Sequence, residues 1–140
     1  MSKDRFIYLA VPYSHSKDSV KNFRFGTVTA ISGKLFEMGI FNFSPITHSH
    51  PVSLINGSGT SWETWEKFDK FMVDLCTEIW VLKLPGWEAS VGVQAEIQHA
   101  LKTMKPVQYL NVDIQDGVMT IKDVKGKHII YTIFVREEIL

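Results

Sequence analysis

A chain of 140 residues with 45% hydrophobic and 21% charged content is long enough to bury its own core, and this composition excludes a disordered chain. Fifteen basic and fifteen acidic residues cancel to a formal charge of zero, so nothing suggests a nucleic-acid polymer or an anionic membrane as partner. The single cysteine, Cys76, has no partner for an intramolecular disulfide, which suits one domain spanning 1–140 in a reducing compartment.

The opening "MSKDRFIYLA" runs from charge directly into a strand-like segment, without the apolar core and cleavage region of a signal peptide. No apolar stretch reaches membrane-spanning length, so a cytoplasmic location is expected. "RFIYLAV" at 5–11 is apolar, aromatic and β-branched, and Pro12 stops it; this predicts a buried first strand. From Asp18 to Met38 apolar residues recur at Val20, Phe23, Val28, Ile31 and Leu35, a helical period, and Gly39 stands where a C-terminal cap belongs. "IFNFS" at 40–44 predicts a second strand ended by Pro45.

"PITHSHPVSLINGSGTS" at 45–61, with Pro, Gly and Ser at its ends, predicts a long polar loop. Thr60 and Glu63 have capping-box spacing, so a helix is expected from near Ser61 to about Leu75. "EIWVLKL" at 78–84 predicts a third strand before the Pro85–Gly86 break. A helix from about Val91 to Thr103 and a strand "PVQYL" at 106–110 follow. Beyond Asn111, "GVMTIKDVKGKHIIYTIFV" predicts a β-hairpin over about 117–135, added to the sheet or to a partner.

Strands alternating with helices over 5–110 predict an α/β fold: a Rossmann- or flavodoxin-like parallel sheet with helices on both faces. Ligands of such sheets bind beyond the carboxyl ends of the strands. The loops expected there are Pro12–Ser16, Ser44–Ser61 and Pro85–Ser90.

Several residues near that edge carry chemistry. Glu96 lies one to two turns into its helix among Val93, Ala95, Ile97 and Ala100; it is either a solvated carboxylate favoured by the helix dipole or a partly buried nucleophile or base. Ser90, Val91 and Gly92 form a small-residue helix start, read as plain N-capping or as an anion site. Asp69 borders a stripe of Trp62, Trp65, Phe68 and Met72, where it is either solvated or functional; the tryptophans are core or ligand platform. His48 and His50 in "THSHP" have weak metal-site spacing, so a base-contacting or loop-stabilising role is favoured over a metal. Tyr8 lies within the first strand, and its hydroxyl needs a partner if buried. No Walker loop, GxGxxG, GxSxG or paired CxxC occurs.

Three blocks in this order and spacing resemble the nucleoside 2-deoxyribosyltransferase superfamily: "IYLAVPYS" (7–14), "WEKFDKFMVDLCTEIWVL" (65–82) and "GWEASVGVQAEIQHA" (86–100). The resemblance covers about residues 5–110. It implies that Glu96 is the nucleophile attacking the anomeric carbon, that Tyr8 positions its carboxylate, and that Asp69 is a candidate proton donor. Ser90 matches the position that contacts the 5′ end of the sugar, with Gly92 beside it, while Tyr13 lies in the loop after the first strand and His48 near the base-contacting loop. Trp62, Trp65 and Trp87 are expected to stack on the base or close the site against water. Members acting on free nucleosides carry an acid at the Ser90 position; Ser at a helix N-terminus suits a 5′-phosphate instead. The Gly- and Arg-containing loop of the nucleoside-monophosphate hydrolases is replaced by "VPYSH", leaving Ser14, His15 or Arg24 as substitutes.

The resemblance thus implies an enzyme that cleaves or transfers at the N-glycosidic bond of a nucleoside or nucleoside 5′-monophosphate, without metal or organic cofactor, as a homo-oligomer. The alternatives are a hydrolase of another N-glycoside, such as a nicotinamide or modified-base nucleotide, and a nucleotide-binding module without turnover.

Overall fold

The structure, a computed structural model, describes residues 5–57 and 62–134. Six strands form one sheet: β1 (Phe6–Ala10), β2 (Phe41–Phe43), β3 (Glu78–Leu82), β4 (Val107–Gln115), β5 (Val118–Asp123) and β6 (His128–Phe134), in the order β2-β1-β3-β4-β5-β6. The first four run parallel, while β4–β5 and β5–β6 pair antiparallel. The fold is therefore α/β with a mixed sheet, parallel only within the region where strands and helices alternate. The C-terminal hairpin extends this sheet, and β4 runs five residues past Leu110 to pair with β5.

Four helices flank the sheet: α1 (Asp18–Glu37), α2 (Pro45–Asn56), α3 (Trp62–Leu75) and α4 (Val91–Lys102). Strand alternation divides the core between two faces. Ile7, Leu9 and Val11 pack with Val28, Ile31 and Leu35 of α1, whereas Tyr8 and Ala10 pack with Val73 of α3 and Val93, Ile97 and Ala100 of α4. Both faces of the parallel strands are covered, which explains the unbroken apolar run of β1.

Helix α1 ends as its Gly39 predicts. Gly39 has φ +79°, its N–H donates to Phe36 O at 3.0 Å, and Ile40 N donates to Leu35 O at 2.9 Å. These two bonds close a Schellman motif.

The segment expected to be a loop at 45–61 is a helix over Pro45–Asn56. Ser44 caps it by accepting from Thr47 N at 3.1 Å, Pro45 occupies the first turn where its missing N–H costs nothing, and Gly57 ends it at φ +73°. Ile46, Ser49, His50 and Ser53 form its buried face at helical spacing. That face is mostly polar, so the amphipathic signal is absent although the geometry is helical. Of the expected capping box, Thr60 lies outside the described residues, as does Ser61.

The chain leaves β1 toward β2 on one side and returns to place β3 on the other. The carboxyl ends of β1 and β3 therefore diverge into loops on opposite faces, which opens a crevice between them.

Candidate functional site

A cleft of about 340 Å³ lies in that crevice, lined by residues of the β1 loop, α2, α3 and the start of α4. Tyr13, Trp62, Trp65, Asp69, Ser90, Gly92 and Glu96 all contribute to it. The fold thus gathers most of the residues singled out in sequence around one concavity.

Glu96 is placed by helical period. Val93, Glu96, Ile97 and Ala100 are the buried residues of α4, so Glu96 occupies a core position and is only 4% exposed. Tyr8, wholly buried on the face of β1 that meets α3 and α4, donates its hydroxyl to Glu96 Oε2. Asp69 occupies the matching position on α3, one turn before the buried Val73, and its Oδ1 is buried without a hydrogen-bond partner. An unpartnered carboxylate oxygen turned from water is costly in a resting protein. Both acids replace the apolar residues that these stripes call for.

Burial raises the pKa of both carboxyls: Glu96 well above the usual range, and Asp69 to about 7. The charge of Asp69 adds to the rise at Glu96, while the Tyr8 bond opposes it. Tyr8 is itself raised by burial and by the two carboxylates, so it stays a neutral donor. Near neutrality the pair holds at least one proton. The Tyr8 hydroxyl donates to Glu96 alone, so it favours the charged form of that carboxyl against its burial, while the unpartnered Oδ1 of Asp69 has no such support.

Ser90 is the N-cap of α4: its Oγ accepts from Val93 N at 3.2 Å, as the capping reading has it, and the same side chain lines the cleft. Gly92 admits the indole of Trp62, since a Cβ there would stand 3.2 Å from Trp62 Cε3. Tyr13 bonds His50 Nδ1 through its hydroxyl, and His50 stacks on Phe25 with ring centroids 4.2 Å apart. Burial and nearby Lys21 lower the His50 pKa, favouring the neutral ring.

Arg24 is a buried structural clamp. Its Nη1 donates to Tyr13 O at 3.3 Å and Ser14 O at 3.2 Å, and its Nη2 to Pro85 O at 2.9 Å. It ties the loop after β1 to the loop after β3, the two edges of the crevice.

Three expected residues are not part of the cleft lining: Tyr8 reaches it only through Glu96, and His48 and Trp87 stand apart. His48 is exposed on α2 and packs near Phe68 and Trp65 at centroid distances of 5.4 and 6.1 Å. Trp87 begins a short 3-10 turn, Trp87–Ala89, and packs on Tyr109 at 5.7 Å beneath α4. Conversely, Ile46 and Ser49 of α2 line the cleft without being expected there, and His50 of the same helix holds the expected Tyr13; the Ser44–Pro45 start, the 46/49/50/53 spacing and Gly57 are the signals that point to these α2 residues. Among the described residues, no cluster of three or more His, Cys, Asp or Glu side chains is arranged to hold a metal ion. No helix among them is long and apolar enough to cross a membrane.

Residues 5–112 match the sequence profile of a domain of unknown function, DUF1937. The match takes in every cleft residue and stops within β4, before the β5–β6 hairpin. No curated protein matches the chain.

Proposed function

The chain belongs to the DUF1937 family, and from its cleft we propose that it is an N-glycosidase or glycosyltransferase acting on a nucleoside or nucleoside 5′-monophosphate through a covalent glycosyl ester of Glu96. The observation that carries this reading is one buried carboxyl, Glu96, held by a buried tyrosine hydroxyl, with a second buried carboxyl, Asp69, lining the same cleft from α3. The likeness of the three sequence blocks to the nucleoside 2-deoxyribosyltransferase superfamily supports it, as does the strand order β2-β1-β3-β4, which is that of flavodoxin-like sheets.

In this reading a Glu96 oxygen attacks C1′ while the bond from C1′ to the base nitrogen breaks, and the bonding pair goes to the base. Asp69 gives that nitrogen its proton, so the base leaves neutral. Water then attacks C1′ of the ester, Asp69 takes the water proton, and Glu96 returns as a carboxylate with overall retention. A second base in place of water gives transfer. Tyr8 holds the carboxylate in line and favours its charged form before attack. Trp62 and Trp65 supply planar surfaces for the base. A homo-oligomer fits the exposed Phe68, Phe71 and Leu75 on α3.

The test is Glu96→Gln, which keeps the shape and an acceptor for Tyr8. Base release from a panel of nucleosides and 5′-monophosphates, followed by chromatography, is expected to fall by roughly 10⁴-fold or more while ligand binding survives. Cleavage by this variant at the wild-type rate would falsify the mechanism.

A further inference from the structure

A second chamber, of about 710 Å³, adjoins the cleft and shares Ser14, Ala89 and Ser90 with it. Ser90 thus stands on a common wall, with Glu96 on one side and the second chamber on the other. The two chambers differ in charge. Among the described residues, the first is lined by Glu63, Asp69 and Glu96 and by no basic side chain, whereas the second is lined by Arg24 and His15 and by no carboxylate.

An anion is therefore repelled from the first chamber and accepted in the second. No acidic side chain pairs with Arg24 among the described residues, where its bonds go to neutral carbonyls. Its charge is left for a ligand. The second chamber is also far larger than one phosphate requires, because pockets of about 300–1,000 Å³ hold a whole drug-sized molecule. Val20, Phe23, Leu84 and Pro85 give it apolar walls, and Phe23 offers the flat surface on which a planar ring packs.

We propose that the second chamber binds the distal half of the substrate, and that the substrate is a dinucleotide joined through a 5′-pyrophosphate: the reacting nucleoside in the acidic chamber, the pyrophosphate passing Ser90 toward Arg24, the second nucleoside against Phe23. This inference rests on the reading of Glu96 as nucleophile, since that residue fixes which end of the ligand occupies the first chamber.

Calorimetric titration of the Glu96→Gln protein tests it without turnover. The ligands are nucleosides, their 5′-monophosphates, their 5′-diphosphates and the symmetric dinucleoside 5′,5′-pyrophosphates, each with adenine, guanine, cytosine or uracil as base. For at least one base the dinucleoside pyrophosphate is expected to bind about tenfold or more tightly than the monophosphate and the diphosphate. Adding Val20→Trp, which fills the second chamber, or Phe23→Ala, which strips its wall, is expected to erase that gain.

Equal affinity for mono- and dinucleotide overturns the inference, as does a gain that persists in both variants. A diphosphate that binds as tightly as the dinucleotide overturns the place given to the second nucleoside. Wild-type turnover separates the two ideas. Release of base from monophosphates with no dinucleotide preference leaves the mechanism standing and sinks the second-chamber assignment. Tight dinucleotide binding with no base release from any ligand does the reverse, and failure of every ligand to bind sinks both.

Discussion

The Tyr8 hydroxyl donates to Glu96 Oε2 across 88 residues of sequence, from the inner strand β1 to the helix α4, with both side chains buried. A tyrosine hydroxyl needs only one partner to be satisfied, and here that partner is the one carboxyl that burial most strongly disfavours as an anion. Tyr8→Phe removes the donor and keeps the ring packed in the core. Loss of a hydrogen bond to a charged group costs about 1.5–3 kcal/mol, which corresponds to about a 10- to 150-fold fall in kcat/KM. The sign of the pH effect follows from the Tyr8 bond lowering the Glu96 pKa. Without that bond Glu96 ionises at higher pH, so the rising acid limb of the pH–kcat/KM profile moves to higher pH. A profile of unchanged shape and height would remove Tyr8 from the mechanism.

Asp69 couples activity to stability in opposite directions. Its folded-state pKa of about 7 lies above the ordinary value of 3.8, through burial. Folding therefore favours the protonated form: the associated stability is fully present below about pH 4 and is lost as pH rises through about 7. Asp69→Asn carries no such loss. Its stability relative to wild type is expected to grow between pH 4 and 7, by up to about 4 kcal/mol for a shift of this size. In the proposed mechanism Asp69 is the proton donor, so the wild-type rate is expected to decline above about pH 7, and the variant to lack that limb along with most of the activity. Urea denaturation at several pH values, beside pH–rate profiles, checks both halves. A constant stability difference across that range would show that the Asp69 carboxyl is not carrying the penalty.

Much of this arrangement follows from periodicity. The unbroken apolar run of β1, the 3.6-residue spacing of α1 with Gly39 beyond it, and the strand–Pro–Gly–helix series around residue 86 each correspond to an element that formed. Helix α2 escaped because its inward face is Ser49, His50 and Ser53, and because Pro51 lies inside it. Burial of polar groups is decided by partners elsewhere in the fold, and spacing along one segment does not reveal them. Glu96 shows the same limit: its position on the 93/96/97/100 stripe was visible, but whether that stripe met water or Tyr8 depended on where β1 and α4 came to lie. Arg24 sits in a helical pattern like any surface arginine, and only the approach of two distant loops makes it a clamp.

That clamp depends on one glycine. Gly86 has φ +93°, a region closed to most side chains, and a Cβ built on it would stand 2.7 Å from Arg24 Nη2. Gly86→Ala therefore strains the backbone and displaces the guanidinium from Pro85 O, for an expected loss of about 1–3 kcal/mol. The displaced loop leads directly into Ala89 and Ser90, the wall common to both chambers, so nucleotide affinity is expected to fall together with the melting temperature. Gly33 on the exposed side of α1 is the control. A Cβ there meets nothing within 4 Å, and Gly33→Ala in a helix is expected to be neutral or to stabilise by about 0.5–1 kcal/mol. Thermal melts of the two variants decide the matter. If Gly86→Ala melts with wild type and binds nucleotide equally well, the loop after β3 is held by something other than Arg24.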